Sequence, residues 1–525
     1  MTTISARPSD ASPHHESGAT RPDPVRRSIA LGPTASLTCE LVESVAERPS
    51  EFDVAPSKQA RARMAASRAA LLEVIERGEP VYGLTTGYGP FVTFAADADP
   101  TRQGAGLIAH LGAGFGAPAP DDAVRATMLA RAQSMAQGCS AVSDSVMARW
   151  LTVLRLGIVP VIPEIGSVGA SGDLVPLSHA ARVLCGEGRV RLNGTERHAG
   201  EALAMVGLDA EPLSARDALS LVNGTSFMTG YAALAVSRAG RLIERAEGLT
   251  GWAYRALGAR TQALDPRLHA ARGQEGQWRS AASIRSEIEP FGDTQDPSRP
   301  LQEVYSIRCA PQILGACRDN AEHARRLIER EINGVNDNPV ICTAMDDHAS
   351  AALHGGNFQG QQVAFAADAL NQALVQAAVL AERQIDVLLN PEFNNAAPLL
   401  LAWEPGPDAG LAGAQLTATA IVAEMRHAVT PASVSSIPTN GRNQDVVSMG
   451  TLAARTAYRQ VDRLAAVLGI LGITLDRLTD LRRRGRAEGA VADAPAWFAC
   501  GDSFTHDRPL LPDITRASQA MLRIA

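Results

Sequence analysis

The sequence predicts an all-α chain, with a long central helical bundle and a smaller, mixed N-terminal part. Aromatic residues make up only 4% of the 525 residues, while alanine, leucine and arginine abound, a composition that favours helix over sheet. Residues 312–332, 361–389, 411–429 and 446–480 are largely free of proline and place apolar residues at three-and-four spacing. The second of these stretches would extend about 43 Å at 1.5 Å per residue. Helices of that length, too apolar to be solvated on any one face, imply a bundle that continues across subunits.

Residues 1–28 are Pro/Ser-rich with acidic residues and no apolar h-region, which predicts a disordered tail rather than a signal peptide. The N-terminal part spans 29–210. Within it, 36–77 carry helix-like patterning stopped by Gly78 and Pro80, and 81–95 form a Gly/Thr loop. Residues 121–156 read as one or two helices, and 158–165 as an extended segment feeding a turn at Ala170. A small hairpin is expected around Leu192-Asn193-Gly194. The long-helix bundle spans 211–485, and 486–525 form a mixed C-terminal segment.

Composition excludes several classes of function. A net charge of −7, with no basic stripe interleaved with aromatics, argues against nucleic acid. Lys58 is the only lysine, so a P-loop or a pyridoxal Schiff base elsewhere is excluded. Seven cysteines, far apart and without CxxC, read as reduced thiols of a cytoplasmic protein. No run of 18 apolar residues predicts a membrane span. The GAGFGA string at 112–117 fits GxGxxA, but no predicted strand precedes it, so no dinucleotide site is expected.

The chemistry concentrates in VIPEIGSVGASGDLVPLSHAA, residues 160–180. Ala170, Ser171, Gly172 and Asp173 follow one another with little side-chain bulk. In a tight turn the Gly172 nitrogen, unhindered by a Cβ, can approach the Ala170 carbonyl carbon and close a five-membered ring. Loss of water from the ring and from Ser171 then leaves an exocyclic methylene at the former Ser171 Cβ. That carbon is an electrophile, which no ordinary side chain supplies.

The string GSVGASGDLVPLSH resembles the signature of the histidine, phenylalanine and tyrosine ammonia-lyases and the related aromatic aminomutases. The likeness extends from about residue 35 to 480. It implies a histidine ammonia-lyase-like fold and a methylidene-imidazolone (MIO) group formed from Ala170, Ser171 and Gly172, with no metal, nucleotide or flavin. It also implies a homotetramer whose active sites each draw residues from three chains. The extra C-terminal insertion of plant and fungal members has no room here.

By the same resemblance, Tyr82 in VYGLTTGYG is the catalytic base. A phenol of pKa about 10 is too weak a base at neutral pH, so nearby dipoles or positive charge are expected to lower it. Gly83, Gly87 and Gly89 would let the loop close as a lid. Arg308 in VYSIRCAPQ would bind the substrate carboxylate as a fork, and Tyr305, three residues earlier, would position the reacting centre. Glu303 stands where the family usually has Asp. Asn223 in LVNGTSFMTG corresponds to the asparagine that holds the prosthetic ring or the substrate amine, with Gln312 in the same network, although Asn-Gly alone is a turn signal. Asn336, Asp337 and Asn338 resemble a helix-ending motif. Phe358, between Asn357 and Gln359, would pack against the ring, and Glu382, Asn443, Gln444 and Asp445 complete the match.

Two positions bear on the substrate. Histidine enzymes carry Glu where this chain has Gln444, which disfavours histidine. The His110-Leu111 pair, in LIAHLGAG, resembles that of tyrosine-selective bacterial lyases, where a neutral imidazole can pair with a phenolic hydroxyl. The usual Asn before the pair is replaced here. The expected activity is therefore elimination of ammonia from L-tyrosine to give trans-4-coumarate. Tyrosine 2,3-aminomutase, phenylalanine or histidine ammonia-lyase, and a catalytically silent scaffold are the alternatives.

Overall fold

A computed structural model describes residues 26–345, 347–498 and 503–523. Residues 1–25 of the expected tail, and Cys500, lie outside that range. Arg27 and Ser28, assigned from sequence to the tail, belong instead to a strand, β1 (Arg27–Leu31). It pairs in parallel with β2 (Phe52–Pro56), Arg27 opposite Phe52 and Ser28 opposite Asp53. That second strand splits the stretch expected to be helical over 36–77 into α1 (Cys39–Glu47) and α2 (Lys58–Glu76). The helical periodicity is broken at Pro49, which opens a single 3-10 turn after α1, and Ser57 then caps α2 through Ala60 N.

Beyond the 81–95 loop come α3 (Pro100–Leu111), β3 (Phe115–Pro118), α4 (Asp121–Ala136) and α5 (Asp144–Arg155). The GAGFGA string thus runs from the end of a helix into an edge strand. The extended segment divides into β4 (Val159–Pro160) and β5 (Pro163–Ile165), the latter antiparallel to β3. After α6 (Leu174–Leu184), β6 (Arg189–Leu192) and β7 (Thr195–His198) form the expected hairpin. Its two-residue loop places Asn193 and Gly194 at φ 51° and 75°, the left-handed pair that matches strand twist. α7 (Ala199–Met205) and α8 (Ala215–Val222) complete this part.

The bundle is built from α9 (Ser226–Leu257), α10 (Pro266–Arg272), α11 (Glu275–Ser286), α12 (Tyr305–Arg308), α13 (Ala310–Ile332), α14 (Gln361–Leu389), α15 (Ala412–His427) and α16 (Gly450–Arg483). A short hairpin of β8 (Val340–Cys342) and β9 (Ala351–Leu353) lies between α13 and α14. α13 runs antiparallel to α14, with Cys317 Sγ donating to Ala373 O at 3.2 Å and Gln384 Nε2 to Ser306 O at 3.0 Å. α14 is apolar enough by length and composition to cross a membrane, but 72% of its most apolar window is buried inside the bundle. The C-terminal segment ends in α17 (Leu511–Leu522), which packs along α16, and Trp252 on α9 donates its indole N–H to Ala492 O at 2.8 Å.

Candidate active site

α9, α14 and α16 all start at one end of the bundle, and the Ala170–Gly172 turn sits against those starts. Asp173, which follows the turn, is fully buried. Its carboxylate accepts from Ser167 Oγ at 2.7 Å, from Met228 N in the first turn of α9 at 2.8 Å, and from Thr451 Oγ1 in the first turn of α16 at 2.5 Å. Burial raises its pKa and these donors oppose the rise. Gly172 adopts φ 68°, and a Cβ there would fall 2.1 Å from Gly224 O, so backbone meets backbone with no room for a side chain. Asp173 N donates to the same Gly224 oxygen at 2.8 Å.

The serine of the turn is held from two sides. Gln444 Nε2 donates to Ser171 Oγ at 2.9 Å, and Asn223 Nδ2 donates to Ser171 O at 3.2 Å. The Gln444 amide cannot turn freely, because its Oε1 accepts from Thr439 Oγ1 at 2.7 Å. Asn223 Oδ1 is buried and, among the described residues, finds no hydrogen-bond donor, an acceptor left over at the turn. α16 begins at Gly450, four residues later than its periodicity predicts. The preceding segment is committed to the turn instead: Met449 N donates to Val168 O at 2.9 Å and Ser448 Oγ to Gly169 O at 3.1 Å.

Tyr82 lies on the 81–95 loop, where its hydroxyl accepts from Gly89 N at 2.8 Å. The sequence expectation of a lowered pKa is reversed in this chain, since burial pushes the phenol above its ordinary value and the Gly89 N–H only partly offsets that. Tyr82, Tyr88 and His110 form a row, with successive ring centroids 6.2 and 6.4 Å apart. His110 is exposed on the last turn of α3 and engages Gly106 O through Nδ1 at 3.0 Å, which leaves Nε2 for a ligand. Leu111, the next residue, is buried and packs in the core at the end of α3. Phe358 is half-buried two residues before Gly360, which packs against Met228 and Ser448.

Tyr305, Arg308, Gln312 and Glu382 lie at the other end of the bundle. Tyr305 is exposed, with Arg308 stacked 4.7 Å from its ring centroid, and Arg308 Nε donates to Glu303 O at 2.9 Å. Arg308 lines a cavity of about 550 Å³ together with Arg260 and Leu301. Glu303 is consumed by Arg299, 2.5 Å away. Gln312, in the first turn of α13, has a buried Oε1 without a partner. Glu382 pairs with Arg383 and accepts from Thr419 Oγ1 at 3.0 Å.

Three helices measure the separation of the two groups. On α9, Met228 touches Asp173, while Tyr254 donates to Ile307 O at 3.1 Å, and these two residues stand about 39 Å apart along the axis. On α14, Gln361 and Glu382 are about 32 Å apart, and on α13 Gln312 and Glu331 about 28 Å. One chain therefore does not bring Arg308 to Ser171.

Three residues at the turn were missed from sequence. His354 Nε2 accepts from Tyr82 N at 3.1 Å and anchors the loop. Its pKa is lowered by burial, which keeps the ring neutral, as an acceptor must be. His354 lies just before the Asn357–Gln359 stretch, but nothing in the sequence there says that it reaches a loop 272 positions earlier. Thr439 and Arg131 carry no local signal.

The sequence model of the family described as aromatic amino acid lyase matches residues 37–496. A tyrosine ammonia-lyase of Cereibacter sphaeroides is 41% identical over 488 residues, covering 88% of this chain and 92% of that protein. An MIO-dependent tyrosine 2,3-aminomutase of Streptomyces globisporus is 37% identical over 513 residues, covering 93% and 94%. The crystal structure of histidine ammonia-lyase from Trypanosoma cruzi superposes with a TM-score of 0.82 at 28% identity, covering 94% of this chain and 93% of that one. With an all-α bundle of the histidine ammonia-lyase type and a family match over most of its length, the chain belongs to the aromatic amino acid lyase family of carbon–nitrogen lyases.

Proposed function

We propose that the protein is a tyrosine ammonia-lyase that converts L-tyrosine to trans-4-coumarate and ammonia. The observation that carries this reading is the row of rings from Tyr82 through Tyr88 to His110, which runs from the expected base to an imidazole with a free Nε2. A phenolic hydroxyl finds a partner at that nitrogen, whereas a phenyl ring leaves the nitrogen unpaired, at a cost of about 1–3 kcal/mol.

The turn fits an MIO group: two glycine backbones in contact, a serine hydroxyl held by Gln444, and a spare acceptor on Asn223. Formed from Ala170, Ser171 and Gly172, that group supplies an electrophilic methylidene carbon for the substrate amine. Asn223, by donating to Ser171 O, draws electron density toward the carbonyl conjugated with that carbon. The starts of α6, α9, α14 and α16 gather around the turn and contribute positive helix ends, which favour negative charge there. Tyr82 takes the β-proton of the substrate, and the loop that carries it excludes water.

Arg308 and Tyr305, held far from the turn in their own chain, act at the turn of another copy, where the guanidinium forks onto the substrate carboxylate. This supports a homotetramer with shared sites, and a small aromatic amino acid as ligand. Incubation of the purified protein with L-tyrosine, L-phenylalanine and L-histidine in parallel, with products resolved by chromatography, tests the reading. Coumarate from tyrosine alone is expected, and cinnamate formed faster than coumarate would overturn it. The aminomutase from Streptomyces globisporus, similar along nearly the whole chain, makes β-tyrosine the second product to look for.

A further inference from the structure

Behind the turn lies a guanidinium that the chemistry above does not use. Arg131, on α4, has a completely buried side chain. Its Nη1 donates to the backbone oxygen of Asn223 at 3.0 Å and to Asn336 Oδ1 at 3.0 Å. Its Nη2 stands 3.6 Å from Asp337 Oδ2, while Nε and Nη2 make no hydrogen bond. Arg216 is closer to that carboxylate, at 2.9 Å, so two buried cations share one anion.

Only backbone separates this cation from the turn. A Cβ on Gly224 would fall 1.9 Å from Arg131 Nη1, and a Cβ on Gly172 would fall 2.1 Å from Gly224 O. The order in space is Arg131, Gly224, Gly172, with a single layer of peptide between the charge and the triad. Asn223 is the residue that closes α8, with extended dihedrals (φ −92°, ψ 99°), and Arg131 holds its carbonyl. Without that grip the peptide can rotate, and the Asn223 side chain, 3.2 Å from Ser171 O, moves with it.

We infer that Arg131 is a positioning residue for the electrophile: it fixes Asn223 against the Ser171 carbonyl and, one peptide layer away, favours the negative charge that gathers on that oxygen. The inference rests on the reading of the triad as a cyclised electrophile. A buried charge acts over this distance with less screening than an exposed one, which is where preorganised dipoles contribute most. A residue needed only to fill space here would leave less polar surface to bury, since methionine occupies similar volume without a charge.

The test compares R131M and R131K with the parent protein in four measurements: intact mass, which reports loss of the two waters; the near-ultraviolet band of the conjugated group; kcat and KM for the amino acid the parent turns over; and the melting temperature. R131M is expected to shift the band and to lower kcat roughly 10- to 100-fold, the scale of one charge-assisted hydrogen bond, with KM within about twofold. R131K, which keeps the charge but loses the fork, is expected to fall between. On an N223A background neither substitution is expected to shift the band further, because Arg131 acts through Asn223. An unchanged band and kcat in R131M would overturn the inference, as would a kcat that falls only with the folded fraction, or a full additional shift on N223A. If R131M does not fold, R131K and the N223A pair decide the matter. A parent protein that retains both waters would instead sink the reading of the triad itself.

Discussion

On the proposed reading Tyr82 serves as the base, at a position where burial resists its ionisation. A base must be deprotonated, and a raised pKa moves the deprotonated fraction to higher pH. The rate is therefore expected to climb with pH along an alkaline limb, and Tyr82→Phe to lose that limb together with about 10²- to 10⁴-fold of activity; a pH–rate profile of both proteins checks this. His110 makes the complementary prediction about selectivity. His110→Phe should move the ratio of kcat/KM for tyrosine over phenylalanine by roughly five- to 150-fold toward phenylalanine, since the unpaired imidazole nitrogen is gone. Both residues were singled out by their strings, but their surroundings were not legible there. A helix turns 100° per residue, so on the last turn of α3 His110 is exposed while its neighbour Leu111 packs into the core, a division the two-residue string does not display. Arg131 was invisible for a related reason: its partners are the carbonyl of Asn223 and the side chain of Asn336, 92 and 205 positions further on, and no local pattern encodes that.

Helix periodicity located the scaffold well. The stretch predicted at 361–389 is the helix Gln361–Leu389, and that predicted at 312–332 is Ala310–Ile332. Both are fixed by apolar faces that only neighbouring helices can cover. Leu374, 1% exposed in the middle of α14, is one such contact. Leu374→Ala should destabilise the fold by about 2–5 kcal/mol in urea unfolding while leaving KM near its original value. Where the sequence misplaced an element, tertiary contacts had overridden local preference. Val446–Met449 carry helical periodicity but stay out of the helix, Ser448 and Met449 bonding Gly169 and Val168 instead, and Phe52–Pro56 leave a helical pattern to pair with Arg27–Leu31. A motif also names a residue without saying which end of a bundle it occupies. Ser171 and Arg308 appear equally diagnostic in the string, and the structure puts them at opposite ends of three helices.

That separation leads to an experiment on the assembled protein. Ser171→Ala and Arg308→Ala are each expected to be inactive alone, and coexpression of the two is expected to restore activity, because a mixed assembly contains some sites with both residues intact. Failure to recover any activity, with mixed assemblies demonstrated by mass, would place both residues in one chain's site and contradict the sharing. The same geometry divides the working life of the enzyme into two regimes. Ala170, Ser171, Gly172, Asp173, Asn223 and Gln444 all meet within one chain, so on the proposed reading of the triad a newly made copy prepares its own electrophile at a rate independent of how many others are present. If Arg308 acts at the turn of another copy, as proposed, specific activity should fall on dilution while the fraction of dehydrated chains does not.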